Sequence, residues 1–275
     1  MRIVVTGGNG RVGRYLLAEL VARGHEVTSL DFTAAQDPVA GVRNMGGDVT
    51  SVEDLLGTLI YAKAEAIVHM AAWSDPGIVA DTKTYADNTR AMFNVLNVAE
   101  GLSLKRVIVA SSAQVYGFAD RAPFYASVDE EHPLRPTNSY ALSKVAGEQA
   151  AAYFAGRGLN VISLRIMGAR PPEDLAAEGA RARDDLASGR FLLWTRADAR
   201  DIAVGCRQAL EVPSVPSGVY NLTGACNVVG LETEQLLRRY CPETEIRGFG
   251  GGNRSALSIR KAEAAFGYAP AWRPA

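Results

Sequence analysis

An α/β class built on a doubly wound parallel sheet, with a smaller cap behind it, is what this 275-residue sequence predicts. Three observations carry the prediction. Short apolar runs of strand length alternate with amphipathic helical stretches through the first 165 residues. The first run, Ile3-Val4-Val5-Thr6, ends directly in a glycine cluster that opens a helix. Beyond residue 165 the alternation gives way to pieces punctuated by proline and glycine.

Taken in order, Arg11 to Arg23 has helical spacing, with Val12, Tyr15, Leu16 and Leu20 on one side and Gly24 where a C-terminal cap glycine belongs. Glu26 to Leu30 is the second strand and Arg43 to Val49 the third. Ser51-Val-Glu-Asp54 fits a capping box that opens a helix. Ala66 to Met70 is strand four, Thr82 to Leu102 a long helix, Arg106 to Ser111 strand five, Asn138 to Arg157 a helix and Asn160 to Arg165 strand six. Such alternation implies right-handed βαβ units. A helix over Asp174 to Ser188 and a short strand over Phe191 to Trp194 follow, then helices over Asp201 to Leu210, Thr233 to Tyr240 and Ile259 to Phe266. Pro213, Pro216, Pro242 and Gly248 to Gly252 mark loops. The expected organisation is a nucleotide-binding body over 1–165 and a small mixed cap over 166–275, interleaved with it and not an independent domain.

Composition removes several function classes. With 29 basic and 30 acidic side chains the net charge is -1, which argues against a broad nucleic-acid surface. No apolar run approaches the roughly 18 residues a membrane span needs, and the N-terminus has no secretory pattern. Cys206, Cys226 and Cys241 are odd in number and far apart, without a zinc-like spacing. The expectation is a soluble, cytoplasmic protein without metal.

Placement of the glycines is more informative. Gly8, Gly10 and Gly13 satisfy G-x-G-x-x-G, and Gly7, Gly10 and Gly13 satisfy G-x-x-G-x-x-G, at a strand-to-helix junction. One glycine allows the tight turn, one lets a pyrophosphate approach the backbone, and one lets helix and strand pack closely. The turn residues Gly7, Gly10, Arg11, Val12 and Gly13 then offer backbone N–H groups and a positive dipole end to phosphates. Asp31 ends strand two, 18 residues beyond Gly13, where an acid holds the adenosine ribose hydroxyls. A carboxylate there repels a ribose 2′-phosphate, and Phe32-Thr-Ala-Ala35 supplies no cation for one, so NAD is favoured over NADP. Arg11 and Arg14 are the two side chains that could argue otherwise.

Tyr140 and Lys144 are four apart in a helix and share a face. Ser111 and Ser112 lie just beyond strand five, at the carboxyl end that lines the crevice of such a sheet. These residue types suit proton transfer beside a nicotinamide. A neighbouring ammonium, together with an oxidised nicotinamide, is expected to lower the tyrosine pKa from about 10, making Tyr140 an acid/base, while Ser112 orients the substrate oxygen.

These motifs, with Asp48-Val49, His69-Met-Ala-Ala72, Asn88 leading into Asn94-Val-Leu96, Ser111-Ser-Ala-Gln-Val-Tyr-Gly117, Leu164-Arg165 and a tail of Ala262, Phe266-Gly-Tyr268 and Pro270, resemble one family along most of the chain. It is the extended short-chain dehydrogenase/reductases of the NAD-dependent epimerase/dehydratase group. The resemblance implies a Rossmann-type fold with a small C-terminal substrate-binding cap and a catalytic triad of Ser112, Tyr140 and Lys144. It places Asp48 and Val49 at adenine, Met70, Ala71 and Ala72 at the ribose and phosphate, Asn88 and Ser111 beside the cofactor, and Lys144 on the nicotinamide ribose. It also implies a homodimer through the long helices holding Asn88 and Tyr140. His69 and Tyr116 are expected to be packing residues and Asp201 structural.

The sequence departs from the family in three places. Dehydratases carry an Asp-Glu pair where Ala113 and Gln114 stand, so dehydration is not expected. The Asn that many sugar epimerases carry shortly after the position of Arg165 is absent. The cap is short for a nucleotide-sugar pocket, and the Leu164-Arg-Ile segment with its nearby Pro-Glu also resembles uronate dehydrogenases. Arg165, Arg170 and Arg196 are candidate binders of a substrate carboxylate or phosphate. The expected activity is NAD-dependent hydride transfer at a carbinol or carbonyl of a small sugar-like substrate, as epimerase or as sugar or uronate dehydrogenase. The alternative is a non-catalytic NAD(H)-sensing regulator on the same fold. Such proteins typically lose the tyrosine or the lysine, and both are present here.

Overall fold

In a computed structural model, which describes every residue except Pro76, Phe249 and 273–275, seven parallel strands form one sheet. They are β1 (Arg2–Thr6), β2 (Glu26–Asp31), β3 (Val42–Gly46), β4 (Ala66–His69), β5 (Arg106–Ser112), β7 (Val161–Ile166) and β10 (Gly218–Leu222). Their spatial order is β10-β7-β5-β4-β1-β2-β3. The chain grows outward from β1 in one direction and then reverses to place β4 on its other side. This leaves a crevice at the carboxyl ends of β1 and β4, where ligands of such sheets bind.

The sheet is covered on both faces because its strands are apolar on both faces. Ile3, Val5 and Val68 point to one side and pack with Leu16 and Leu20 of α1 (Gly13–Ala22) and Ile202 and Cys206 of α7 (Ala199–Glu211). Val4, Ile67 and Val107 point to the other. There they meet α2 (Val52–Tyr61), α3 (Asp81–Gly101) and α4 (Ser139–Gly156) through Leu59, Leu96 and Phe154. Local signals set these helices. The Ser51 Oγ accepts the Asp54 N–H at 3.1 Å, and the Asn138 side chain accepts the Ala141 N–H at 2.8 Å as the α4 cap.

The remaining elements are β6 (Tyr125–Ala126), β8 (Ala169–Arg170), α5 (Pro172–Asp184), α6 (Leu186–Gly189), β9 (Ala197–Asp198), α8 (Thr233–Tyr240), β11 (Glu245–Ile246) and α9 (Arg260–Phe266). A separate apolar cluster around Tyr116, Trp194 and Leu237 underlies this region. Two parts of the stretch after residue 165 join the sheet layers, β10 as the edge strand on β7 and α7 against α1.

Three element assignments need correction. The strand expected over Phe191 to Trp194 is a 3₁₀ turn (Arg190–Leu192) followed by Leu193 and Trp194 at φ +48° and +55°. Burial of the Trp194 indole, whose Nε1–H reaches the Leu186 carbonyl at 2.6 Å, overrides the local strand preference. The helix expected over Asp174 to Ser188 breaks at Asp185, which caps α6 by accepting the Ser188 N–H. β10 was hidden behind Pro213 and Pro216 and is only five residues long.

Candidate active site

At the end of β1 the chain turns sharply. Gly7 sits at φ +72°, and a Cβ on it would lie 2.5 Å from the Ala71 nitrogen. A Cβ on Gly13 would lie 2.2 Å from the Gly7 carbonyl oxygen, so only glycine lets α1 start this close to the turn. No side chain caps Val12; the Arg14 and Tyr15 N–H groups are taken by the Gly10 and Val12 carbonyls, which leaves the Val12 and Gly13 N–H groups at this end of α1 for a ligand. Asp31 lies beside the turn and accepts the Asn9 N–H at 3.0 Å and the Thr33 N–H at 3.1 Å.

A cavity of about 830 Å³ runs from this turn across the carboxyl ends of the strands. Gly7, Gly10, Arg11, Val12, Gly13, Asp31, Asp48, Val49, Met70, Ala71, Ala72, Asn88, Ser111, Ser112, Tyr140, Lys144 and Arg170 all line it. Of the two arginines that could have argued for a 2′-phosphate, Arg14 is held on Glu173 at 3.0 Å outside the cleft, and Arg11 lines the cleft near Asp75 at 3.8 Å. An elongated cleft with a close-packed glycine turn at one end and a ribose-binding acid beside it fits a dinucleotide.

At the other end, Ser112 and Tyr140 line the cleft together, and the Ser112 hydroxyl acts to lower the Tyr140 phenol. The Lys144 Nζ donates to the Ala110 carbonyl at 2.7 Å and lies 5.5 Å from the Tyr140 ring centroid. Burial pushes the Tyr140 phenol up to about 12 and Lys144 down to about 8. In the protein alone Lys144 does not bring the Tyr140 phenol below its ordinary value. The ammonium is tethered to a carbonyl instead of the phenol, and desolvation outweighs it.

Arg165 does not belong to this cleft. It is buried, forks onto Glu148 at 2.8 and 2.7 Å, and donates to the Tyr116 hydroxyl at 2.8 Å and the Glu130 carbonyl at 3.0 Å. Its assignment as a substrate binder is corrected accordingly, since its donors are spent inside the fold. Arg196 is likewise buried against Glu178 at 2.8 Å. Arg170 faces the cavity but is 3.3 Å from the same Glu178. The Asn88 amide is used to hold the Trp73 backbone and the Ser143 hydroxyl. His69, buried under the turn, is hydrogen-bonded to Thr6 Oγ1 at 2.7 Å. Asp201 accepts the Ala271 and Trp272 N–H groups.

Several lining residues were not singled out in the sequence, namely Trp73, Asp75, Met167, Phe191 and Leu192. Phe191 and Leu192 carried no signal, because their turn is set by tertiary packing. Glu148 was readable, since it stands four residues after Lys144 on α4 and therefore on the same face. It accepts the Ser111 hydroxyl at 2.5 Å, and its charge counters the burial penalty on Lys144.

A model of the NAD dependent epimerase/dehydratase family matches residues 3–184. A UDP-glucose 4-epimerase of Lacticaseibacillus casei is 32% identical over 182 residues, 62% of this chain and 53% of that protein. An L-arabinose 1-dehydrogenase (NAD(P)(+)) of Haloferax volcanii is 32% identical over 236 residues, 82% of this chain and 88% of that protein. The chain spans about half the length of the UDP-glucose 4-epimerases it matches. Among solved structures, the Bordetella bronchiseptica enzyme WbmG in complex with NAD and UDP covers 99% of this chain and is itself covered to 90%, with TM-score 0.73 and 25% identity.

Proposed function

The chain belongs to the NAD-dependent epimerase/dehydratase family, and from that premise we propose that it transfers hydride at a carbinol or carbonyl carbon of a sugar or sugar-like substrate. The observation that carries the reading is the convergence of Ser112, Tyr140 and Lys144 at one end of a cleft whose other end is the glycine turn. NAD, when bound, supplies the hydride acceptor or donor. Gly7, Gly10, Arg11, Val12 and Gly13 would hold its pyrophosphate, Asp31 its adenosine ribose, Asp48 and Val49 its adenine, Met70 to Ala72 would border its ribose and phosphate, and Lys144 would hold its nicotinamide ribose.

In the reducing direction Tyr140, protonated at neutral pH, donates its proton to the substrate oxygen as charge develops there. In the oxidising direction Tyr140 must first lose its proton to solvent, a loss that the Lys144 ammonium and the positive charge of oxidised NAD would favour, and the phenolate then takes the proton of the substrate hydroxyl. Ser112 hydrogen-bonds that oxygen and orients it. Lys144 supplies a positive charge at this end of the cleft while protonated, which holds below about pH 8. Release of the keto product makes the reaction a dehydrogenation, and its return after rotation makes it an epimerisation. Ala113 and Gln114 line the cleft without an acid, so elimination of water is not part of the reading.

Residues 166–275 serve as the substrate cap through Met167, Arg170, Phe191 and Leu192. The protein is read as cytoplasmic; among the described residues no helix is long and apolar enough to cross a membrane. It is further read as a homodimer through α3 and α4, which expose Tyr85, Phe93, Leu142 and Tyr153. A monomeric mass in solution would refute that pairing.

Replacing Tyr140 with Phe tests the chemistry. Turnover should fall about 10²- to 10⁴-fold while NAD binding, followed by fluorescence, persists. Turnover close to that of the unaltered protein would end the acid/base assignment.

A further inference from the structure

We infer that the substrate is an uncharged sugar of monosaccharide size, held in a side cavity that adjoins the cofactor cleft. The inference rests on the oxidoreductase reading above and adds the substrate class. The side cavity measures about 230 Å³ and shares Asp75, Gln114 and Phe191 with the main cleft. It stands next to the catalytic hydroxyls by chain continuity. The Gln114 N–H donates to the Ser112 Oγ at 3.2 Å, and Asn138, on its wall, caps the helix that carries Tyr140.

Size is the first argument. Pockets that enclose larger organic ligands span about 300 to 1,000 Å³. This cavity is smaller, so it has room for one sugar ring and none for a nucleoside diphosphate beside it. In this reading the dinucleotide fills the main cleft from the glycine turn onward, and the reacting carbon of a sugar held in the side cavity reaches the Ser112 and Tyr140 end, which Met167 and Arg170 also line.

Charge is the second. Among the described residues lining the side cavity, the sole ionisable side chain is the Asp75 carboxylate. That carboxylate is countered by Arg11 at 3.8 Å, and Arg190 reaches the Ala119 carbonyl at the rim at 3.5 Å, so among the described residues the wall itself offers no cation to a substrate carboxylate or phosphate. The cations that line the main cleft are already held, Arg11 near Asp75 at 3.8 Å, Lys83 on Asp87 at 2.7 Å, Arg170 on Glu178 at 3.3 Å and Lys144 on the Ala110 carbonyl. Glu178 is shared by Arg170, Arg181 and Arg196, which leaves that cluster net positive. None of the three lines the side cavity, however, and the buried Arg196 stacks against the Phe191 ring.

The neutral groups complete the match. Thr137 offers a hydroxyl, and Gln114 keeps its amide N–H groups because its Oε1 takes the Asn138 N–H at 3.2 Å. Hydroxyl-rich ligands are recognised by such uncharged donors and acceptors, and the rings of Phe118 and Phe191 offer apolar surface to the C–H face of a sugar.

The test uses the full chain with NAD and compares neutral aldopentoses and aldohexoses with the matching uronates, sugar monophosphates and UDP-hexoses. NADH formation and epimer formation by NMR are both followed. The best neutral aldose should exceed every anionic sugar in kcat/KM by at least about 100-fold. Ala119 lies on the exposed rim of the side cavity, so Ala119→Trp fills it without touching the core. That variant should raise KM for the aldose at least about tenfold and leave NAD affinity unchanged. A uronate, sugar phosphate or UDP-sugar as the better substrate would overturn this inference and leave the oxidoreductase reading standing, and so would an unmoved KM in the variant. Bound NAD with no turnover of any sugar would overturn both.

Discussion

Residues 7–13 reach the cleft as one unbroken strand, turn and helix, whereas the substrate wall is assembled from Gln114, Asn138, Met167 to Arg170, and Phe191 with Leu192. On the cofactor side the phosphate turn itself is built by near neighbours, with Asp31, Asp48 and Met70 to Ala72 added from other strand ends. Gly13 contacts Gly7, and Ser51 caps its own helix. On the substrate side the pieces lie far apart in the chain and are held by long-range ties, such as Asn138 to Gln114 and Arg190 to Ala119. The contrast follows from what each side binds. Phosphate recognition uses backbone N–H groups that a local turn can present, while a substrate is recognised by side chains that must converge from several elements.

The joint between the two sides is the strongest place to break this picture. Glu148 of α4 ties Arg165 of β7 to Ser111 of β5, all buried. Glu148→Ala leaves the Arg165 charge uncompensated and should cost about 3–5 kcal/mol of unfolding free energy. Denaturant titration measures this, and a loss below about 1 kcal/mol would show that the two sides are joined by other contacts.

A smaller effect isolates the cofactor side. Burial, aided by the Lys144 charge, pushes His69 down to about 3 from 6.5. The unfolded chain takes up a proton near pH 6.5 and the folded chain only near pH 3. The stability held above pH 6.5 is therefore lost as pH falls through that window, at up to about 1.4 kcal/mol per pH unit. His69→Asn should show a shallower decline of the urea midpoint between pH 7 and pH 4. Parallel curves for the two proteins would contradict a buried neutral imidazole.

The smallest expected change sharpens the cofactor assignment. Asp31→Asn keeps the side-chain shape beside Asn9 and Thr33 but removes the charge. NAD affinity should weaken by about tenfold, or roughly 1.5 kcal/mol, and the gap to NADP should narrow. Unchanged affinities for both nucleotides in titration calorimetry would remove Asp31 from the ribose.

Legibility in the sequence followed the same divide. The glycine turn, the Ser51 cap and the helices around Tyr140 and Lys144 were readable because period and capping are local. β10 was not. Its five residues follow a proline-marked loop, and it becomes a strand by pairing with β7, where Asn221 accepts the Tyr116 hydroxyl at 2.8 Å. The Phe191 to Trp194 segment has the composition of a strand, yet burying Trp194 twists it into left-handed backbone. Arg165 and Arg196 looked like anion binders because a sequence shows a charge and not its partner.

The sequence by itself determined the parallel α/β body, the phosphate turn and the Ser112, Tyr140 and Lys144 set, since each depends on spacing within one strand, turn or helix. Only the tertiary structure decided which arginines are free to face a ligand, that burial raises the Tyr140 pKa, and that a small cavity with a single carboxylate adjoins the cleft. Those properties depend on desolvation and on pairing between residues far apart in the chain, and no local pattern encodes either.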